Sequence, residues 1–145
     1  MNIDSIKEMV GIDLAMDGTE LADESVRIPL LHGKYLNIFH DESIILRKHD
    51  TDYKMLRKLK WEYYGGKMSE QEIKSLGWLP FEHRILRQDL DIYLEADTDL
   101  LRIQLKIGLQ KQKVEYLDSV MKGINNRQWV IRNAIDFLKF KSGVG

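Results

Sequence analysis

The chain has 145 residues, of which 31% are charged and 43% hydrophobic, with a net charge of −1 and no cysteine. This length provides for one domain with a modest core rather than two, and the lack of cysteine excludes disulfides and thiolate metal sites. No run approaches the roughly 18 apolar residues of a membrane span, and the stretch MNIDSIKEMVGID has neither the basic nor the apolar region of a secretion signal, so a soluble, cytoplasmic protein without membrane partners is expected.

The near-zero net charge hides segregation along the chain. Residues 1–25 hold seven acids against one lysine, whereas residues 44–67 hold seven bases against three acids. Residues 88–99 hold five acids and no base, and residues 100–145 hold nine bases against three acids. Such alternation suits a chain that meets a polyanion on one surface and protein on another.

In chain order, a short helix is predicted near Asp4 to Val10, followed by an acidic, glycine-containing connection. Ser25 and Pro29 are read as the entrance to a long helix reaching about Tyr64, since proline suits a first turn. Three-four steps along it select Leu31, Tyr35, Ile38, Glu42, Ile45, His49, Asp52, Leu56, Leu59 and Tyr63, a stripe apolar at both ends and polar in the middle. Gly65 and Gly66 supply the left-handed C-terminal cap, and Ser69 with Glu72 forms a capping box that opens a short helix ending near Gly77. The piece WLPFEHRILRQDLDIYLEAD is ambiguous between helix and extended chain over Ile85 to Leu94. From about Asp97 the helical period returns. Gly123 with Asn125 and Asn126 is expected to turn the chain before a last helix, Arg127 to about Lys141.

The fold class is therefore all-α. One helical domain over residues 1–145 is divided into an acidic N-terminal segment (1–25), a long basic helix (26–67) and C-terminal helices (97–145) that carry oligomerisation. Three long amphipathic pieces carry more apolar stripe than one small monomer can hide, so a symmetric homo-oligomer is expected. Trp129, Val130, Ala134, Phe137 and Leu138 are assigned to its interface, the alternative for this helix being nucleic-acid contacts by Arg127, Arg132, Lys139 and Lys141.

The stretch KLKWEYYGGKM carries the chemistry. On a helical wheel with Leu56, Leu59 and Tyr63 turned to the core, Lys54, Arg57, Lys58 and Trp61 fall opposite, with Lys60 and Tyr64 on the flank and Lys67 just beyond the glycine bend. Bases that track phosphates around a ring able to stack on a nucleobase suit single-stranded nucleic acid. The competing interpretation is a solvated charged face whose tryptophan packs on a neighbouring subunit under lysine stems. An indole sealed in the interior, with the amines held in carboxylate pairs, would remove the first.

The same residues carry a family resemblance. LKWEYYGGK, the pair DGTELADES and KYLN, and EADTDLLR resemble, in order and spacing, segments of the UvsY family of recombination mediators of tailed-phage myoviruses. The likeness spans nearly the whole chain, although GWLPF has no counterpart and Gly-Gly-Lys stands where the family tends to end in Gly-Arg. The resemblance implies a helical ring or barrel homo-oligomer, a heptamer in the family, that binds single-stranded DNA. It further implies displacement of single-stranded DNA-binding protein and loading of a RecA-like recombinase, in the host cytoplasm for a phage-encoded chain. The family's DNA-contacting basic pair falls on Lys58 and Lys60.

No enzyme, cofactor or metal is implied. His32, His40 and His49 with Asp41 crowd one predicted helix instead of converging from several. Asp89, Asp91, Asp97 and Asp99 are read as helix caps and complements to the helix dipole rather than a magnesium site. No GxxxxGK(S/T) loop occurs, and Met55, Met68 and Met121 are read as core filling. The alternative function is a helical adaptor or scaffold with an anion-binding face.

Overall fold

The computed structural model describes residues 1–143; Val144 and Gly145, the last two positions of the expected C-terminal segment, lie outside it. Among the described residues there are helices and no strands: α1 (Ile3–Asp13), α2 (Leu21–Tyr64), α3 (Glu70–Ser75), a single 3₁₀ turn (Arg87–Asp89), α4 (Leu90–Glu95) and α5 (Thr98–Lys141). The all-α expectation holds. Among the described residues no helix is long and apolar enough to cross a membrane.

Three boundaries differ from expectation. Helix α2 begins at Leu21, so Pro29 lies inside it rather than at its start. The carbonyl that Pro29 deprives of a donor belongs to Ser25, which is exposed, so water can satisfy it. The ambiguous segment becomes an irregular stretch, the 3₁₀ turn and short α4. Finally, Gly123, Asn125 and Asn126 do not turn the chain, because α5 runs unbroken through them. Met121, Ile124, Arg127 and Ile131, at steps of three, three and four, are all buried, and this continuous stripe outweighs the poor helix propensity of three exposed residues between its members.

The chain divides into two compact units, Met1–Ser43 with the residues from Gln112 onward, and Ile44–Lys111. In the first unit Ile6 of α1 packs with Leu31 and Tyr35 of α2 and Leu117, Met121 and Ile124 of α5. Polar groups close this core. Asp13 accepts from Lys34 Nζ at 2.6 Å and Tyr35 Oη at 2.8 Å. Its carboxyl is held below the usual carboxylate range chiefly by the Lys34 hydrogen bond, against the opposing effect of burial. Buried Glu24 lies between Arg27, at 2.9 Å, and Arg127, at 3.6 Å. Arg127 also donates to the Leu14 carbonyl. It is thus a structural cation of the first unit, not the surface anion contact entertained from sequence. Buried Glu42, in the polar middle of the expected stripe, pairs with Lys113 at 3.4 Å.

In the second unit Leu90, Leu94 and Leu100 form the core, with Tyr53, Leu56, Trp61, Tyr64 and Ile85 packed against it. Met121 fills core as expected and Met68 is half-buried, but Met55 is 64% exposed. It projects from the side of α2 away from Lys60, which this unit buries.

Candidate nucleic-acid interface

The candidate interface is shaped by the way α2 ends. The Gly66 amide bonds the Tyr63 carbonyl and the Lys67 amide bonds the Glu62 carbonyl, with Gly66 at φ 70°. This paired capping pattern needs the left-handed conformation that glycine adopts without a Cβ penalty. It reverses the chain so that Ser69 and Glu72 can form their capping box at α3, and Gly77, at φ 73°, turns it again.

The segment after Gly77, which had no place in the sequence pattern, folds over the two tyrosines. Tyr63 meets Trp78 at 5.1 Å and Phe81 at 5.6 Å between ring centroids; Tyr64 meets Phe81 at 5.1 Å and Tyr93 at 5.7 Å. The Tyr63–Trp78 and Tyr64–Phe81 pairs are edge-to-face, an arrangement that adds to simple burial. Tyr63 Oη donates to the Leu79 carbonyl, and Tyr64 Oη donates to Asp97 Oδ2 at 2.5 Å. Tyr64 is therefore a structural residue, with ring and hydroxyl both engaged, and not a free stacking platform. Burial first, then Asp97, pushes its phenol pKa up.

Lys60 is the second correction. It is only 5% exposed, with Nζ 2.8 Å from Asp99 and 3.1 Å from Asp97, and it lies over the Trp78 ring at 4.1 Å. Burial pulls its pKa down, but hydrogen bonds to Asp99 and Asp97 outweigh that and raise it overall. An amine enclosed this way has no charge to offer a phosphate. Asp97 caps α5 as expected, accepting from the Leu100 amide at 2.9 Å. Burial works to raise its pKa, yet Tyr64, that amide and Lys60 together hold it below the usual value.

The remaining members stay in water. Lys54, Arg57, Lys58 and Lys67 are exposed. Lys58 makes only a 4.0 Å pair with Glu62, weak by the standard of surface pairs. Among the described residues no carboxylate pairs with Lys54, Arg57 or Lys67. Trp61 is neither fully outward nor sealed: it is half-buried against the Leu90–Leu94–Leu100 core. Its ring lies 4.2 Å beneath Lys67 Nζ and borders a groove of about 310 Å³, shared with Ile85, Leu86, Arg87 and Leu90. A second hollow of about 270 Å³ is lined by Tyr53, Arg57, Leu94, Glu95 and Gln104. Tyr53, Arg57 and Trp61 stand at successive four-residue steps, so one stripe of α2 walls both hollows.

Arg87 was not anticipated. It sits in the segment whose period was ambiguous, and only the 3₁₀ turn places it beside Trp61. The expected interface residues Trp129, Val130, Phe137 and Leu138 are exposed in the single chain, with Ala134 half-buried. They lie on a different unit from the groove.

Comparison with known proteins agrees with the whole length of the fold. A family model described as recombination, repair and ssDNA binding protein UvsY matches residues 9–144. The recombination protein uvsY of Enterobacteria phage T4 is 20% identical over 143 residues, covering 99% of each chain. Two crystal structures of the bacteriophage T4 recombination mediator protein UvsY share the fold, each with a TM-score of 0.84. One is 19% identical and covers 97% of this chain and 99% of its own; the other is 20% identical and covers 98% of each.

Proposed function

This chain belongs to the UvsY family of recombination, repair and single-stranded-DNA-binding proteins, and from that membership we propose that it is a non-enzymatic recombination mediator. Its task is to bind single-stranded DNA, loosen the hold of single-stranded DNA-binding protein and promote loading of a RecA-like recombinase. The observation that carries this reading is the family match over residues 9–144 on a chain whose exposed Lys54, Arg57 and Lys58 form one basic face.

The mechanism follows from repetition of a weak site. Each chain offers a few bases, and each phosphate they neutralise releases counterions. A homo-oligomer, a heptameric ring by likeness to the family, repeats that patch, and linked sites hold a flexible strand far more tightly than one site does. Trp129, Val130, Ala134, Phe137 and Leu138 form the subunit contact in this account. A strand drawn onto such an assembly leaves the path set by its former coating protein, which opens it to the recombinase.

The test is recombinase filament assembly on single-stranded DNA already coated with single-stranded DNA-binding protein. Adding this protein should shorten the assembly lag at substoichiometric recombinase. An unchanged lag at every protein concentration would reject the mediator role.

A further inference from the structure

We propose that the groove beside Trp61 is a nucleotide subsite, in which one base enters against the indole while Arg87 and Lys67 hold an adjacent phosphate. The proposal rests on the single-stranded-DNA reading above and adds to it a place for a base and a residue, Arg87, that the helical wheel could not supply.

Three observations converge on it. The groove, at about 310 Å³, falls at the lower end of the range for small-molecule sites. Its walls combine an indole, the aliphatic Ile85, Leu86 and Leu90, and two cations, which is the mixture a flat ring joined to an anion requires. Among the described residues neither Lys67 nor Arg87 has a carboxylate partner, in contrast to Lys60 in the last turns of α2. Two exposed cations therefore stand at one apolar groove with their charge uncompensated.

Lys67 has a specific part. Its ammonium lies over the Trp61 ring at 4.2 Å, a cation–π contact that is weak when exposed to water. It occupies the ring face that a base would take. Because Lys67 follows the glycine cap directly, its stem can swing aside. A base then replaces the ammonium on the indole, and the ammonium passes to the phosphate, so the exchange keeps the ring covered and adds a charge contact.

The experiment compares binding of labelled oligothymidine with that of an oligomer of equal length and phosphate count made abasic throughout, at several salt concentrations. The native chain should prefer the base-bearing strand by about tenfold or more, the order expected of one stacked base. Arg87→Ala should lower the salt slope by about 0.7 decade per decade, the value of one phosphate on a single strand, and Lys67→Ala should do the same. Trp61→Leu should abolish the base preference, with circular dichroism confirming the fold. Because Trp61 touches the core, Arg87→Ala is the independent arm, its side chain being exposed.

If Arg87→Ala leaves affinity and slope unchanged while joint alanine substitution of Lys54, Arg57 and Lys58 abolishes binding, the subsite is refuted and the DNA-binding reading survives. Equal affinity for the base-bearing and abasic strands refutes the subsite as well. If the native chain binds neither strand, both fall.

Discussion

Lys60 and Asp97 meet at 3.1 Å in the second unit, joining the last turns of α2 to the cap of α5. Both are almost wholly buried. This pairing sets buried Lys60 apart from its exposed neighbour Lys58 on the same helix.

Substitution should expose that difference. Lys58→Ala removes a charge from a side chain that is 78% exposed, so it should weaken DNA binding and leave thermal stability within about 0.5 kcal/mol. Lys60→Ala leaves Asp97 buried without its cation, which costs about 3 kcal/mol. Denaturant unfolding followed by circular dichroism distinguishes them. Equal stability of the two variants would show that Lys60 is not structurally paired.

Stability should decline at both ends of the pH scale. Asp97 and Asp13 have folded pKa values below their ordinary ones. Their contribution is therefore complete above the unfolded carboxylate pKa of about 4 and is lost as pH falls through the lower folded values. Lys60, Tyr64 and Tyr35 are raised, so their contribution is complete below about pH 10 and is lost above it. Melting temperature measured from pH 2 to 12 should give a broad plateau. Asp97→Asn keeps a capping side chain while removing the charge, and should lessen the loss on the acid side.

Two glycines should respond in opposite directions. A Cβ at Gly123 meets open space within a continuous helix, so Gly123→Ala should stabilise by about 1 kcal/mol. At Gly66 the backbone is left-handed, and Gly66→Ala should cost about 1 kcal/mol. Chemical denaturation of both variants checks the pair, and a destabilised Gly123→Ala would argue for a break in α5 there.

The subunit contact can be tested without removing the last part of α5, which would also take buried Arg127 and Ile131 from the first unit's core. Phe137 and Leu138 are 63% and 50% exposed. Replacing both by serine should yield a smaller particle in sedimentation velocity with unchanged helix content. A particle of native mass would remove these residues from the interface.

The end of α2 and the start of α3 were legible because their signals are local. Gly66 at a left-handed cap and the Ser69–Glu72 box each act within one turn. The break expected at Gly123 was not, because burial of Met121, Ile124 and Ile131 decides that region and local propensity does not reveal it. The misplacing of Lys60 has a geometric cause. The sequence stripe advanced by heptads, 3.5 residues per turn, whereas an α-helix turns every 3.6, a drift of about 20° per heptad. Between Leu31 and Leu59 that amounts to four heptads and about 80°. By the end of α2 the stripe has therefore drifted onto half-buried Leu59 and Tyr63, while the buried position there is Lys60, beside the half-buried Trp61 and Tyr64. The exposure of Lys54, Arg57, Lys58 and Lys67 was legible; the place of Arg87 beside Trp61 was not, since it depends on a turn with no periodic signature.

The central claim, that the exposed bases of α2 hold single-stranded DNA, is tested most directly by anisotropy titration of a labelled oligothymidine at two salt concentrations. The native chain is compared with one in which Lys54, Arg57 and Lys58 are all alanine. Each base that contacts a phosphate should contribute about 0.7 decade of affinity per decade of salt, so the variant's slope should fall by up to about 2 decades per decade with the fold intact. Equal affinity and equal salt slope for the two proteins would contradict the account.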